Sequence, residues 1–282
     1  MILVADSGAT KTDWLLLDGA EQPKAFATLG LNPTYMADGS VLDVEISRLA
    51  EIIGCADAVQ KVYFYGAGCA SDENRRKIIQ TIAGHFANAQ TEVFTDLLGA
   101  CRATCGHTDG IVGILGTGSN SCVYQGGDIV QNIPSAGYML GDEGSGTYIG
   151  KQLLKTYLTE QMPDGIKPQF RDFIGGRSRS EILDIVYRQP QPNKFFASLA
   201  PFAIYNRRDT FMQSLLKRCF DDFFENQICS YDVPIKDLYM AGSVAAILES
   251  QLRDCAHEHG YQLRRVVQKP IKELAEYHAK NG

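Results

Sequence analysis

Asp6-Ser7-Gly8-Ala9-Thr10-Lys11-Thr12-Asp13 lies between two apolar runs, Ile2–Ala5 and Trp14–Leu17. A polar, glycine-containing turn between such runs predicts a β-hairpin. Small residues in the turn let a backbone approach a phosphate closely. Thr10 and Thr12 offer hydroxyl donors and Lys11 a charge. Asp6, an acid at a strand end, suits Mg²⁺ held directly or through water. An ordinary polar turn reads the same way, so the segment alone decides little.

Outward from the hairpin, the pattern occurs a second time. Gly110–Leu115 predicts a strand, Gly116-Thr117-Gly118-Ser119-Asn120-Ser121 a polar turn, and Cys122–Tyr124 the returning strand before Gly126-Gly127. Two such loops, each heading one half of the chain, indicate a structural duplication and can clamp one polyphosphate from both sides. Neither is a Walker A loop or a dinucleotide fingerprint, because GxxxxGK[ST] and GxGxxG are absent. A third segment, Ala241-Gly242-Ser243-Val244, follows the strand Asp237–Met240 and opens a helix, a small-residue turn suited to an adenosine.

The rest of the first hundred residues alternates strands and helices. Ala25–Thr28 predicts the third strand, 40–53 a helix by its apolar spacing, Lys61–Tyr65 a strand running into Gly66-Ala67-Gly68, and 74–88 a helix. Glu92–Asp96 predicts a strand with an acid at its end. Later residues predict a helix over 143–160, mostly helix over 160–232 with breaks at Gly175-Gly176 and Pro190/Pro192, a strand at Arg264–Val267 and a helix over 271–280. With 282 residues the chain can hold two domains. They are expected at 1–108 and 109–270, with 271–282 able to pack back on the first. An α/β fold with a nucleotide cleft between the domains follows, since ligands favour the carboxyl ends of strands.

Composition narrows the partners. A net charge of −6 disfavours nonspecific nucleic-acid binding, and no apolar stretch reaches the roughly 20 residues that span a bilayer. The N-terminal residues enter a strand-like run directly, so no signal peptide and a cytoplasmic location are expected. Eight cysteines are scattered at 55, 69, 101, 105, 122, 219, 229 and 255, with no CxxC spacing. They are expected as reduced thiols, mostly small core residues rather than zinc or iron–sulfur ligands.

Taken in order, the three loops resemble the phosphate-1, phosphate-2 and adenosine motifs of the actin-like ATPase superfamily, which includes sugar kinases and actin. Within it, Ser135–Leu140 followed by Gly141-Asp142-Glu143-Gly144-Ser145-Gly146, Thr95-Asp96-Leu97-Leu98-Gly99-Ala100 and Leu31-Asn32-Pro33 resemble segments of the N-acetylglucosamine kinase branch, grouped with the BadF/BadG/BcrA/BcrD ATPases. The resemblance spans nearly the whole chain. It implies two ribonuclease H-like domains and an ATP- and Mg²⁺-dependent transfer to a sugar. Asp96 would be the base and Asp6 the metal carboxylate. Gly8, Thr10, Lys11, Gly116 and Thr117 would contact phosphates, and Gly242 and Ser243 the adenosine. Asn32, Gly68, Gly118, Ser119, Asn120 and Asp142 would face the sugar. Glu143 stays open between a supporting role and helix capping, and a homodimer is compatible with the sequence.

One departure stands out. The branch carries a sugar-stacking tryptophan at the place of Ala136, and the chain's single tryptophan is Trp14 in the first hairpin. Tyr138 is either its substitute or a core residue. The resemblance also reaches ATPase activators that carry a [4Fe–4S] cluster at a dimer interface, for which Cys101 and Cys105 give no convincing ligand set. A non-catalytic sugar or nucleotide sensor is the third reading, and the presence of Asp96 counts against it.

Overall fold

Every strand of the first sheet alternates sides, and that alternation sorts its residues between two cores. In the computed structural model all residues are described except Ala9, Glu21, Tyr35, Ala37, Asp38 and Gly282. Ala9 of the hairpin reading and Gly282 of the terminal segment therefore lie outside the described residues. The chain divides into two compact units. Unit 1 is Met1–Asp109, Gly126–Asp128 and Lys269–Gly282; unit 2 is Gly110–Gln125 and Ile129–Gln268.

Unit 1 contains β1 (Ile2–Ser7), β2 (Lys11–Leu17), β3 (Lys24–Leu29), α1 (Ser40–Ile53), β4 (Lys61–Gly66), α2 (Asp72–His85), β5 (Gln90–Thr95) and α3 (Asp96–Thr104). Its sheet runs β3-β2-β1-β4-β5, antiparallel over the first three strands and parallel from β1 through β4 to β5. Leu3, Ala5, Trp14, Leu16 and Phe64 fill one core with residues of α1 and α2. Val4, Leu15, Tyr63 and Tyr65 point to the opposite face. Burial on both faces explains why these strands read as nearly continuous apolar runs.

Unit 2 contains β6 (Gly110–Leu115), β7 (Ser119–Gln125), β8 (Asp128–Ile133), α4 (Gly137–Leu140), α5 (Gly146–Leu158), α6 (Lys167–Phe173), α7 (Arg179–Arg188), α8 (Pro192–Tyr205), α9 (Thr210–Asn226), β9 (Asp237–Ala241), α10 (Ser243–Ile247), α11 (Glu249–Glu258) and β10 (Gln262–Val267). Its sheet runs β10-β9-β6-β7-β8, which repeats the order of the first sheet. The expected α/β duplication is thus present as two five-stranded sheets of one topology. Helices α5 and α8 pack at close range because Gly150 has no side chain; a Cβ there would overlap the Phe196 carbonyl.

The last helix, α12 (Ile271–Asn281), belongs to unit 1 and covers the second face of its sheet. Ile271, Leu274 and Ala275 join Val4, Leu15, Tyr63 and Tyr65. His278 stacks on Tyr63 with ring centres 3.5 Å apart, and its Nε2 lies 2.8 Å from the Tyr65 hydroxyl. Arg102 Nη1 of α3 donates to the same hydroxyl at 2.6 Å.

Three local readings are corrected. The fifth strand ends at Thr95, and Asp96 opens α3 instead of closing the strand. The helix expected from 143 starts at Gly146: Ser145 caps it by accepting from the Tyr148 N–H, while Asp142 at φ 58° and Gly144 at φ 72° keep the preceding chain out of helical geometry. Strand β8 (Asp-Ile-Val-Gln-Asn-Ile) is exposed or half-buried throughout and has no regular alternation of apolar and polar residues, so no sequence periodicity announced it.

Candidate functional site

Sheet register brings the acids of unit 1 together. Ser7 of β1 pairs with Gly66 of β4, and Gly66 with Thr95 of β5, so three parallel strands end at one level. Asp6, Gly66–Gly68 and Asp96 lie at those ends. Thr95 caps α3 by accepting from the Leu98 N–H, and Asp96 Oδ1 accepts from the Leu97 N–H at 2.9 Å. The Asp96 carboxyl is pushed up from its ordinary range by burial, against the lowering effect of the backbone N–H groups of Leu97 and of Asp96 itself. Asp6 is pushed up to about 7, first by burial and then by the charges of Asp96 and Asp13. Such mutual repulsion between carboxylates is what a divalent cation relieves, so the donor set fits Mg²⁺.

The hairpin turn is closed by Gly8 N–H donating to Lys11 O, and Gly30 N–H donating to Thr10 O, each at 3.0 Å. Gly8, Thr10 and Lys11 are exposed. Lys11 Nζ lies 2.5 Å from Asp13 Oδ1. Thr12 departs from the hairpin reading. It is fully buried, its hydroxyl 2.8 Å from that of Ser7, donating to Leu29 O and accepting from Leu31 N–H. That hydroxyl locks the hairpin to the segment leading into Asn32 and is not a phosphate donor.

Asn32 is buried, and its Oδ1 accepts from the Thr34 N–H at 3.0 Å, a local turn. Gly68, at φ 80°, lies directly against it: a Cβ there would overlap Asn32 Oδ1. Asn74 Nδ2 donates to Gly68 O at 2.8 Å and to Thr34 Oγ1 at 3.3 Å. Asn32, Thr34, Gly68 and Asn74 thus form one amide-and-hydroxyl patch. Asn74 escaped the sequence reading because it stands inside the polar first turn of α2, where an asparagine is unremarkable.

In unit 2 the loops interlock. Gly146 N–H donates to Gly116 O at 2.9 Å, and Thr147 donates through both N–H and hydroxyl to Thr117 O. The turn after β6 is therefore fixed to the start of α5. Gly242, with φ 110° and ψ 161°, occupies backbone space reserved for glycine, and a Cβ would overlap the Leu115 carbonyl. The loops that follow β6 and β9 hence adjoin. Ser243 begins α10, a single short turn.

Asp142 holds positive φ, a conformation that an Asp tolerates better than most side chains. Its Oδ1 accepts from the Ser135 hydroxyl at 2.6 Å and from the Ser119 N–H at 3.3 Å, and its carboxyl lies against Gly118. Behind it, Gln227 Nε2 donates to Ser119 Oγ at 3.2 Å and to Glu143 Oε2 at 3.5 Å, while Gln227 Oε1 accepts from the Ser121 hydroxyl. Ser121 Oγ is also 2.9 Å from the Tyr231 hydroxyl, which accepts from Ile133 N–H. Asn120 Oδ1 accepts from Asn132 Nδ2. Glu143 is thus a supporting partner, and the cap of α5 is Ser145.

Among solved structures, a candidate N-acetylglucosamine kinase from Porphyromonas gingivalis is 37% identical to this chain, with a TM-score of 0.94 over 100% of this chain and 99% of its own. The chain belongs to the N-acetylglucosamine kinase-like branch of the actin-like ATPases. A second candidate N-acetylglucosamine kinase, from Chromobacterium violaceum, matches at 19% identity and a TM-score of 0.71 over 98% of each chain. A ROK-family glucokinase from Streptomyces griseus, in complex with glucose and AMPPNP, matches at 12% identity and a TM-score of 0.57 over 100% and 99%. These two share the fold. No protein-family model matches the chain, and no curated protein does.

Within this kinase-like chain, the place of the expected tryptophan is an exposed alanine, Ala136, just before α4. Tyr138 is partly buried and packs against the core of unit 2. Lys151 of α5 instead holds the loop, donating to Tyr138 O at 2.9 Å. Gln227 and Tyr231, which the sequence reading missed, lie about a hundred residues from the serines they brace. Among the described residues, no helix is long and apolar enough to cross a membrane.

Proposed function

We propose that this chain is an ATP-dependent sugar kinase that passes the γ-phosphate of ATP to a hydroxyl of N-acetylglucosamine or a related sugar. The observation that carries this reading is the pair of buried carboxyls, Asp6 and Asp96, aligned by register at the ends of parallel strands in a chain of this family. A sugar hydroxyl is a poor nucleophile, and Asp96 accepts its proton as the bond to phosphorus forms. Its raised affinity for protons and its anchoring to the α3 backbone suit that task. Asp6 holds Mg²⁺, which neutralises charge spreading over the phosphates when bound.

Gly8, Thr10 and Lys11 of the first hairpin, and Gly116 and Thr117 after β6, are the residues that the family resemblance assigns to phosphate. Gly242 and Ser243 floor the adenosine. Asn32, Gly68, Gly118, Ser119, Asn120 and Asp142 are the residues that the resemblance assigns to the sugar, through hydroxyl and amide hydrogen bonds. With alanine at 136, no ring stacks on the sugar there, and discrimination among sugars rests on these polar contacts.

An ADP-release assay over amino sugars and plain hexoses with Mg²⁺ tests the proposal. Turnover is expected with at least one amino sugar. Asp96→Asn should lower kcat by 10²-fold or more, while ATP-stabilised melting persists. A variant that turns over like wild type removes Asp96 as the base, and ligand-stabilised melting with no ADP release on any sugar replaces the kinase reading with a sensor.

A further inference from the structure

No cysteine spacing in the sequence suggests a transition-metal site, yet the packing of two helices in unit 2 builds one. Asp221 lies on α9, Cys255 on α11, and His259 directly follows α11. Cys255 and His259 are four residues apart and so share one face of their helix. Asp221 Oδ1 is 3.2 Å from His259 Nε2 and 3.4 Å from Cys255 Sγ, and one ligand atom from each of the three lies within 4.8 Å of the others. Tetrahedral zinc, with bonds of about 2.0 Å to N and O and about 2.3 Å to S, requires N···O edges of about 3.3 Å and S···O edges of about 3.5 Å. The observed separations are already near those edges.

The surroundings support the same reading. The His259 ring stacks on Phe224, centres 5.0 Å apart and planes 8° from parallel. Its second nitrogen, Nδ1, lies 3.9 Å from Cys229 Sγ, so a partner exists to fix the ring while Nε2 faces the ion. Lys217 is the competing cation. Its Nζ lies 3.0 Å from both Asp221 oxygens and 2.8 Å from Glu258 Oε2. The Lys217 side chain is half exposed, so it can withdraw to Glu258 and leave Asp221 to an ion.

We propose that Asp221, Cys255 and His259 bind a divalent ion of borderline softness, Zn²⁺ foremost, which ties α9 to α11 and leaves a fourth position to water. On binding, the Cys255 S–H bond breaks, the proton passes to solvent and the sulfur pair bonds to the metal. His259 contributes its Nε2 pair, and no oxidation occurs. Thiolate and imidazole donors disfavour Mg²⁺, which separates this site from the proposed catalytic one.

Titration of the chelator-treated, reduced full-length chain with Co²⁺ tests the proposal. One equivalent per chain should produce a thiolate-to-cobalt charge-transfer band with tetrahedral d–d absorption, bleached by Zn²⁺. Cys255→Ser should abolish the charge-transfer band. His259→Gln, at a partly exposed position, should weaken binding by more than about tenfold. Lys217→Ala should tighten it. No saturable band, a band that survives both ligand substitutions, or weaker binding in Lys217→Ala overturns the site; should Cys255→Ser fail to fold, His259→Gln decides.

Discussion

Asp6 illustrates how a buried acid strains the protein that carries it. Its carboxyl is pushed from 3.8 up to about 7, so between those pH values the folded state holds a proton that the unfolded chain releases. Stability therefore falls as pH rises through that window. Asp6→Asn should raise the melting temperature of the ligand-free protein at pH 8, by on the order of 2–4 kcal/mol of stability, with little difference from wild type near pH 4. Melting curves of both proteins across that range check the sign. Gly242 makes a second demand. Gly242→Ala meets both a forbidden φ and the Leu115 carbonyl, so it should cost roughly 3 kcal/mol and weaken ATP-dependent stabilisation. At this scale the turn glycines were legible from the sequence because tight turns constrain residue type, whereas Asp96 and Asp142 were singled out by the family resemblance. Thr12 was not: a threonine in a hairpin reads as a phosphate donor until Ser7, Leu29 and Leu31 are seen consuming its hydroxyl. Asn74, Gln227 and Tyr231 carried no local signal, since their partners are distant in sequence.

Helices and strands were legible where one face or both are buried. Strands β1, β2, β4 and β6 are apolar runs because both sides of their sheets are covered, whereas β8 has no buried residue and no regular alternation, and left no trace. Helix α3 was hidden inside what read as a strand terminus, since Thr95 serves both as the last strand residue and as the helix cap. The start of α5 was misplaced by three residues because Asp142 and Gly144 adopt left-handed backbone that composition alone does not reveal. The pairing of α5 with α8 depends on a single absent side chain. Gly150→Ala forces the Phe196 backbone away and should destabilise unit 2 by roughly 3 kcal/mol, readable as a lower denaturation midpoint with unchanged slope. Gly165, around which a Cβ would meet open space, is the matched control and should tolerate alanine with little loss.

The whole chain repeats one topology twice, and the sequence announced this through two strand–turn–strand segments, each opening one half. What it announced less clearly is how the ends are used. Helix α12 completes the buried face of unit 1, and His278 sits there as a neutral base, its pKa lowered to about 4 by burial and by the charges of Arg102 and Lys61. The unfolded chain takes up that proton from 6.5 downward, so this contribution is whole above pH 6.5 and is lost as pH falls toward 4. Unfolding free energy should drop by on the order of 3 kcal/mol over that interval, and His278→Gln should flatten the dependence. The same helix also sets an order of assembly. A ribosome emits β1 to β5 and α3 first and α12 only after every residue of unit 2, so the aromatic face of the first sheet has only α3 to cover it throughout synthesis of the second. Chaperone dependence or aggregation during translation should therefore concentrate on unit 1, although it emerges first.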